Sequence, residues 1–595
     1  MRTTRRPLRI ASVIATGGVA LAAVPLLFPH GAEAATFTGG NLVVYRVGTG
    51  SAPLTNAAAA TFVDEFQPNG TPVQSVPLPT AAAGANKALT AAGLSRSEGQ
   101  IARSADGRSV VVTGYAAAPG ATGPGGISLT GTDPATVGRT IGLVDGDGDI
   151  DTSTVLTGAG TPQIIRSAVA DSADRLWVAG GNGGVLTTTV GSGAATSIAG
   201  GAGANLNGLT IQGGQLFASG ILTNRLAKIG DGLPASAATA TDVPGLPTNL
   251  LTYGYALLDL TAQGWSGTTA DTLYLANASE RGGTVDKYTF DGSAWNRAGF
   301  VDVPGAFGLV ADNNGGSVSL AVTTPTKLLL LTDPTGSAAG FSPAPPTTLA
   351  TAATNTEFRG VALAPVPIPA PTLAVSTPAN LASYTFGGSI PVSVTAAGTT
   401  PIATVTAKLG AGAPVTLTHG AGDTYTGKLA LGGTAPGNAT VTVVATDTDV
   451  PAKTKTVTRT VKVVLPANVA APGKRSWTVS PVVRTGTWGG YATALSPNKK
   501  GLTSKIKGRA ATVKFYGRSL VLTFTKRKDA GIATLVVDGK VVAFNTYSAT
   551  AGALTRTFTF TGPAKVHTIQ IKVSGKKVAK SSGLALFLAA YQGKS

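Results

Sequence analysis

Apolar and β-branched positions come in short runs that stop at Gly, Pro, Asn or Asp. Leu42-Val43-Val44-Tyr45-Arg46-Val47, Ser109-Val110-Val111-Val112-Thr113, Arg175-Leu176-Trp177-Val178-Ala179, Thr272-Leu273-Tyr274-Leu275-Ala276 and Lys327-Leu328-Leu329-Leu330-Leu331 are examples. Such runs read as strands, and Asp106-Gly107, Asp231-Gly232 and Asp291-Gly292 between them read as hairpin turns. Leu273 to Phe300 reads as one meander: a strand, Gly282-Gly283, a strand ending at Phe290, the Asp291-Gly292 turn, and a strand from Trp295. Comparable units recur about every 35–60 residues, the size of a four-stranded repeat.

Two further patterns follow. Over 373–465 the runs alternate strictly, as in Pro391-Val392-Ser393-Val394-Thr395 and Thr440-Val441-Thr442-Val443-Val444-Ala445, which predicts strands with one buried face. Over 475–595, Ala511 to Tyr516, Ala533 to Val537, Lys540 to Phe544 and His567 to Val573 predict a second alternating sandwich, with Asp538-Gly539 as a hairpin turn. Proline punctuates the joins. Pro365-Val366-Pro367-Ile368-Pro369-Ala370-Pro371 predicts a stiff spacer over 366–372, and the stretch from Pro466 to Gly473 predicts a second linker over 466–474.

Three resemblances follow from these residues. Arg103-Ser104-Ala105-Asp106-Gly107-Arg108, Thr289-Phe290-Asp291-Gly292 with Trp295, and Phe358-Arg359-Gly360-Val361-Ala362-Leu363-Ala364-Pro365 resemble segments of secreted bacterial β-propellers. The resemblance implies a six- or seven-bladed propeller over 35–365, with the strand near Asn41 pairing into the last blade. Asp423-Thr424-Tyr425-Thr426-Gly427 and Ala445-Thr446-Asp447-Thr448-Asp449 resemble bacterial Ig-like repeats, which implies a spacer over 373–465. Val536-Val537-Asp538-Gly539, Asn545-Thr546-Tyr547-Ser548 and Val566-His567-Thr568-Ile569 resemble galactose-binding-like, jelly-roll β-sandwiches of secreted carbohydrate-active proteins, here over 475–595. The expected fold class is all-β throughout.

Residues 1–34 carry an export signature. Arg2, Arg5, Arg6 and Arg9 precede an apolar run from Ile10 to Phe28, and Ala32-Glu33-Ala34 forms a small-residue cleavage site. The expectation is a secreted protein with no membrane span after cleavage, held at the cell wall if retained at all. Thr4-Arg5-Arg6 leaves the general and twin-arginine export routes open.

Composition narrows the chemistry. The 595 residues contain no Cys and three His, at 30, 419 and 567. That removes disulfides, thiolate metal sites and a Cys nucleophile, and leaves a His-based triad without support. The net charge of +18 is unevenly placed. Residues 35–370 hold 15 Lys and Arg against 22 Asp and Glu, whereas 471–595 hold 21 Lys and Arg against Asp529 and Asp538 alone. Such asymmetry points to contact with a polyanion. A solvated surface is the plainer reading.

Two sets of residues are candidate sites. In the basic module Trp488, Tyr491 and Tyr547 are aromatic candidates for a sugar platform or for the core, and Lys526, Arg527 and Lys528 form a cationic loop. Asp145, Asp147, Asp149 and Asp151 alternate with Gly146, Gly148 and Ile150, as a Ca²⁺ loop or as a plain hairpin turn. An EF-hand would want Gly at 150 and Glu at 156, where Ile150 and Leu156 stand. Asp64 and Glu65 are adjacent and expected on opposite strand faces. No cofactor is required by these motifs, and Ca²⁺ is the one candidate ion.

The expected function is a secreted, non-enzymatic surface protein. Its propeller would recognise a partner such as another surface protein, and its basic module would dock on glycan or anionic wall polymer. The alternative is a secreted carbohydrate-active hydrolase or lyase targeted by the same module. Nucleic acid is a weaker partner, because nothing beyond charge supports it.

Overall fold

Runs of Val, Ile, Leu and Thr form strands throughout, and the described residues contain no α-helix, only short 3-10 turns at Pro124–Gly126 and Leu129–Gly131. The computed structural model describes residues 35–448 and 452–594, apart from 172–173, 201–203, 221–225, 262–269 and 337–339. The export segment 1–34 lies outside the described residues. The chain divides into two compact units at Ile368/Pro369.

Among the described residues the first unit holds six four-stranded antiparallel sheets. The second to sixth follow in chain order, with innermost strands Ala102–Arg103, Ile164–Ala170, Leu206–Gln212, Thr252–Leu258 and Leu309–Asn313. The first is assembled from both ends of the unit: Glu357–Leu363 pairs with Leu42–Val47, which pairs with Thr61–Phe66 and then Pro72–Pro77. The meander expected from Leu273 to Phe300 is present as Thr272–Asn277, Thr284–Phe290 and Trp295–Asp302.

Apolar clusters lie between neighbouring sheets in a closed succession. Tyr45 and Val63 meet Val110 and Val112 between the first and second sheets. Val111 and Ile141 meet Ile165 and Leu176 between the second and third. The series continues through Trp177 with Leu216, Phe217 with Leu273, and Tyr274 with Leu320. It returns through Leu328 and Ala350 packed on Leu42 and Phe66. Because each sheet is covered on both faces, strands such as Thr272–Asn277 are buried at every position. That is why they read as continuous apolar runs rather than alternating ones.

Small residues let the innermost strands meet. A Cβ on Gly360 would strike the backbone at Gln100 and Ile101, one on Gly308 that at Gly360 and Val361, and one on Gly254 that at Gly308 and Leu309. A Cβ on Gly208 would press on the carbonyl of Tyr253. Ser167 Oγ accepts from the Leu209 amide, and the Gln100 amide donates to the Arg166 carbonyl at 3.0 Å. The contacts return to their starting strand.

The second unit contains two sandwiches. In the first, a four-stranded and a five-stranded sheet enclose Ile390, Val392, Val394, Val405, Val441, Val443 and Val461. In the second, two six-stranded sheets enclose Trp477, Phe515, Leu520, Leu522, Phe524, Leu535, Ile569, Ile571 and Leu588. The stretch expected as a linker over 466–474 belongs partly to this sandwich. Val469–Ala470 pairs with Lys514 and Phe515, and Gly473–Ser476 pairs with the C-terminal strand Leu586–Lys594.

Candidate functional site

The C-terminal sandwich places several of the expected residues on one outer sheet face. The sheet runs Gly489–Ala492, Lys500–Ser504, Leu586–Lys594, Ser519–Lys526, Gly552–Thr559. Strand alternation sends Leu502, Leu588, Leu522 and Phe524 into the core and the residues between them outward. Tyr491 stands opposite Gly501, and Phe587 opposite Thr503. A Cβ at Gly501 would collide with the Tyr491 ring, so the glycine is what lets that ring lie across the sheet.

These side chains form a stack. The Tyr491 ring meets Phe587 edge-on at 5.4 Å and 82°. The Arg527 guanidinium lies over the Phe587 ring, 4.5 Å from its centroid. Tyr491 Oη shares a 2.8 Å hydrogen bond with Thr525 Oγ1, and burial raises its pKa above that of a free tyrosine. Arg527 Nε donates to Asp529 at 3.1 Å. Its Nη groups have no hydrogen-bond partner among the described residues. Tyr547 joins Arg527 through a parallel β-bridge and is half-buried. Lys526 is half-buried and Lys528 exposed, and the carbonyl of Lys528 is held by Ser582. Beside Tyr491, an open depression of about 470 Å³ is lined by Thr478, Asn498, Lys499 and Lys500. Lys499 adopts a left-handed φ of 58° there, which a non-glycine residue holds only under local constraint.

Trp488 takes the core alternative. It is 8% exposed and packs in the core with Trp477 and Leu502, so it offers no platform. Phe587 is the residue that sequence reasoning missed. The run Leu586-Phe587-Leu588 looks uniformly core-like, and only the register shows that Phe587 faces away from its neighbours. Both carboxylates of the module are engaged. Asp529 is paired with Arg527, and Asp538 with His567 Nδ1 at 2.6 Å. His567 is 1% exposed and stacked on Phe560 at 3.7 Å, a structural position as expected. His419 is exposed and bonded to the Gly422 carbonyl.

Of the two readings of Asp145–Asp151, the local geometry is that of the hairpin turn. Asp145 Oδ1 accepts the backbone amides of Asp147 and Asp149, each at 2.9 Å, and Asp151 Oδ1 accepts that of Ser153 at 2.7 Å. Burial raises the Asp145 pKa. Gly148 supplies a φ of 91°, whereas Gly146 is needed because Val366 and Pro367 lie against it. Among the described residues no three His, Asp or Glu side chains gather around a point that could hold a metal ion. Asp64 and Glu65 take opposite faces as expected: Asp64 pairs with Arg46 at 2.5 Å, and Glu65 accepts from Asn41 and Gln74.

One charged cluster had no counterpart in the sequence reading. Where the innermost strands of the first unit meet, Arg359, Gln100, Arg166, Asn207, Tyr253 and Phe307 occupy corresponding positions beside the close-contact residues. Glu98 lies beneath, 3% exposed, accepting from Tyr115 Oη at 2.8 Å and the Ala92 amide at 2.7 Å. Burial pushes its pKa up to about 7, against the opposing pull of Tyr115, Arg359 and Arg139. The repeated triplets Arg359-Gly360-Val361, Asn207-Gly208-Leu209, Tyr253-Gly254-Tyr255 and Phe307-Gly308-Leu309 were the available signal.

No protein-family model matches the chain, and no curated protein does. Among solved structures, the chain is similar to an exo-beta-1,3-galactanase from Phanerochaete chrysosporium with galactose. The identity is 10%, the match covers 74% of this chain and 97% of that one, and the TM-score is 0.25. It is similar to fibronectin(III)-like modules of Clostridium thermocellum CbhA at 13% identity, over 38% and 94% of the two chains, with a TM-score of 0.14. The tricorn protease matches at 8% identity over 80% of this chain and 42% of that one, with a TM-score of 0.27. At these TM-scores no activity passes from them to this chain.

Proposed function

We propose that this is an exported, cell-surface-associated binding protein without catalytic activity, docked by its C-terminal sandwich on glycan or anionic wall polymer. The observation that carries the reading is the face of Tyr491 and Arg527, held on the covered Phe587 ring and bordered by Lys499, Lys500, Lys526 and Lys528, in a module whose two carboxylates are both spent. Aromatic rings give contact area to sugar faces, and the open guanidinium nitrogens give planar donors to carboxylate or phosphate. In this reading the six sheets are the blades of a propeller that carries the recognition surface, and the sandwich over 373–465 is an Ig-like spacer. The C-terminal sandwich is jelly-roll-like, and residues 1–34 direct export.

The test is retention of the full chain on purified cell walls and on an acidic glycan across a salt series. Salt-sensitive retention that falls in Y491A and R527A, with an unchanged melting temperature, supports the reading. Retention absent in the wild type, or unchanged in both variants, rejects it.

A further inference from the structure

The neutral polar side chains of the depression beside Tyr491 are turned on the protein itself. Asn498 Nδ2 donates to Thr478 Oγ1 at 2.8 Å, and Asn498 Oδ1 accepts from Ser496 Oγ at 2.9 Å and from the Lys500 amide at 3.2 Å. Thr478 Oγ1 is shared further with Ser476 Oγ at 2.8 Å, and Tyr491 Oη and Thr525 Oγ1 hold each other. The rest of the lining, Gly490, Ala492 and Gly501, carries no polar side chain. What faces solvent is cationic. The ammonium groups of Lys499 and Lys500 are exposed, with no hydrogen-bond or ion-pair partner among the described residues, and Arg527 keeps its Nη atoms free. Such groups donate hydrogen bonds and never accept them.

These cations stand at both ends of the Tyr491 side chain. At its backbone end, Lys500 pairs with Ala492, the next residue along the strand, and lines the depression together with Lys499. At its hydroxyl end, Thr525 leads two residues on to Arg527, whose charge opposes the burial that raises the Tyr491 pKa. Asp529, the one carboxylate at this face, is paired with Arg527. A ligand lying along Tyr491 therefore meets a cation, an aromatic ring and a second cation, and no free carboxylate.

We propose that the partner of this face is a phosphodiester-linked polyol chain, with successive phosphates at Lys499 and Lys500 and at Arg527 and the linking polyol across Tyr491. The inference rests on the docking reading above and narrows its ligand. Cations at both ends of one ring suit a chain whose anions recur, not a single acidic sugar. A phosphodiester repeat presents mainly acceptor oxygens, which a face of donors satisfies. A polyuronate carries charge too, but its ring hydroxyls are donors that find no carboxylate or amide acceptor here, and polar groups left imperfectly paired cost affinity.

The probe is soluble poly(glycerol phosphate), titrated into the full chain by calorimetry across a salt series, against polygalacturonate of matched length and against monomeric glycerol phosphate. The phosphate polymer is expected to bind about tenfold or more tighter than polygalacturonate at equal ionic strength, and about a hundredfold tighter than the monomer. K500A and R527A each remove one end of the face, and each is expected to weaken the polymer about fivefold and to lower its salt dependence. K540A removes an exposed lysine from the other sheet of the sandwich and is expected to bind as the wild type does. Polygalacturonate or the monomer binding as tightly as the phosphate polymer overturns this inference and leaves the docking reading standing. Absence of binding to either polymer rejects both. An equal loss in K540A, or no loss in folded K500A and R527A, also overturns the inference. If a variant unfolds, the comparison of the three ligands on wild-type protein decides.

Discussion

His567 Nδ1 lies 2.6 Å from Asp538 Oδ2, and the same carboxylate accepts the Thr568 amide at 2.8 Å through its other oxygen. The pair ties the Asp538-Gly539 turn, where Asp538 sits at φ 46°, to the strand Lys565–Val573. Burial by itself would raise the Asp538 pKa, and the bonds from His567 and Thr568 outweigh it and hold the carboxyl below its usual range. A depressed carboxyl contributes stability above its unfolded pKa and loses it as pH falls through the folded value. D538N is therefore expected to lower stability by about 1 kcal/mol near neutrality. The deficit should shrink below about pH 4. Denaturant titrations at several pH values check it.

Glu98 has the opposite sign. Its pKa of about 7 lies above that of an unfolded glutamate, so its contribution is complete at low pH and is lost as pH rises through 7. E98Q should be less sensitive than the wild type between about pH 4.3 and 7, and more stable than it above that window. Melting temperatures across pH 4 to 9 read this directly, and parallel wild-type and E98Q curves would contradict it.

In the C-terminal face, R527A should lower the salt dependence of wall retention, because each lost phosphate or carboxylate contact releases fewer counterions. F587A removes a ring that is 6% exposed and supports both Tyr491 and Arg527. It should cost about 3 kcal/mol of stability as well as retention. Y491A should affect retention more than stability.

The Asp145 loop should behave as a turn. D145A leaves the Asp147 and Asp149 amides without their acceptor and should cost about 1–2 kcal/mol. Added calcium or chelator should leave the melting temperature of wild-type protein unchanged.

Lys287 and Asp333 form a 2.8 Å ion pair with both side chains fully buried, and Tyr274 Oη donates to the same carboxylate at 2.6 Å. Hydrogen bonds from Lys287 and Thr335 and from Tyr274 offset the cost of burial and lower the Asp333 pKa. Removing one partner strands the other charge, so D333N should cost about 3–5 kcal/mol. Replacing both residues by apolar side chains of similar size should cost less.

Strand positions, hairpin turns and the charge imbalance between regions were legible in the sequence because each is local. Period-two alternation marks a half-buried strand, Asp-Gly marks a tight turn, and counting suffices for charge. The adjacency of Asp64 and Glu65 on one strand likewise determined that they face apart. What only the tertiary structure decided is which distant residues meet and which face each strand shows. Trp488 turned inward and Phe587 outward because pairing register, not side-chain type, assigns a strand's faces. The Asp145 carboxylate serves its own turn, and the loop's Gly146 is dictated by Val366 and Pro367, far along the chain. Arg359, Gln100 and Arg166 come together only because Leu42–Val47 closes the first sheet onto Glu357–Leu363, a long-range pairing that no local pattern contains.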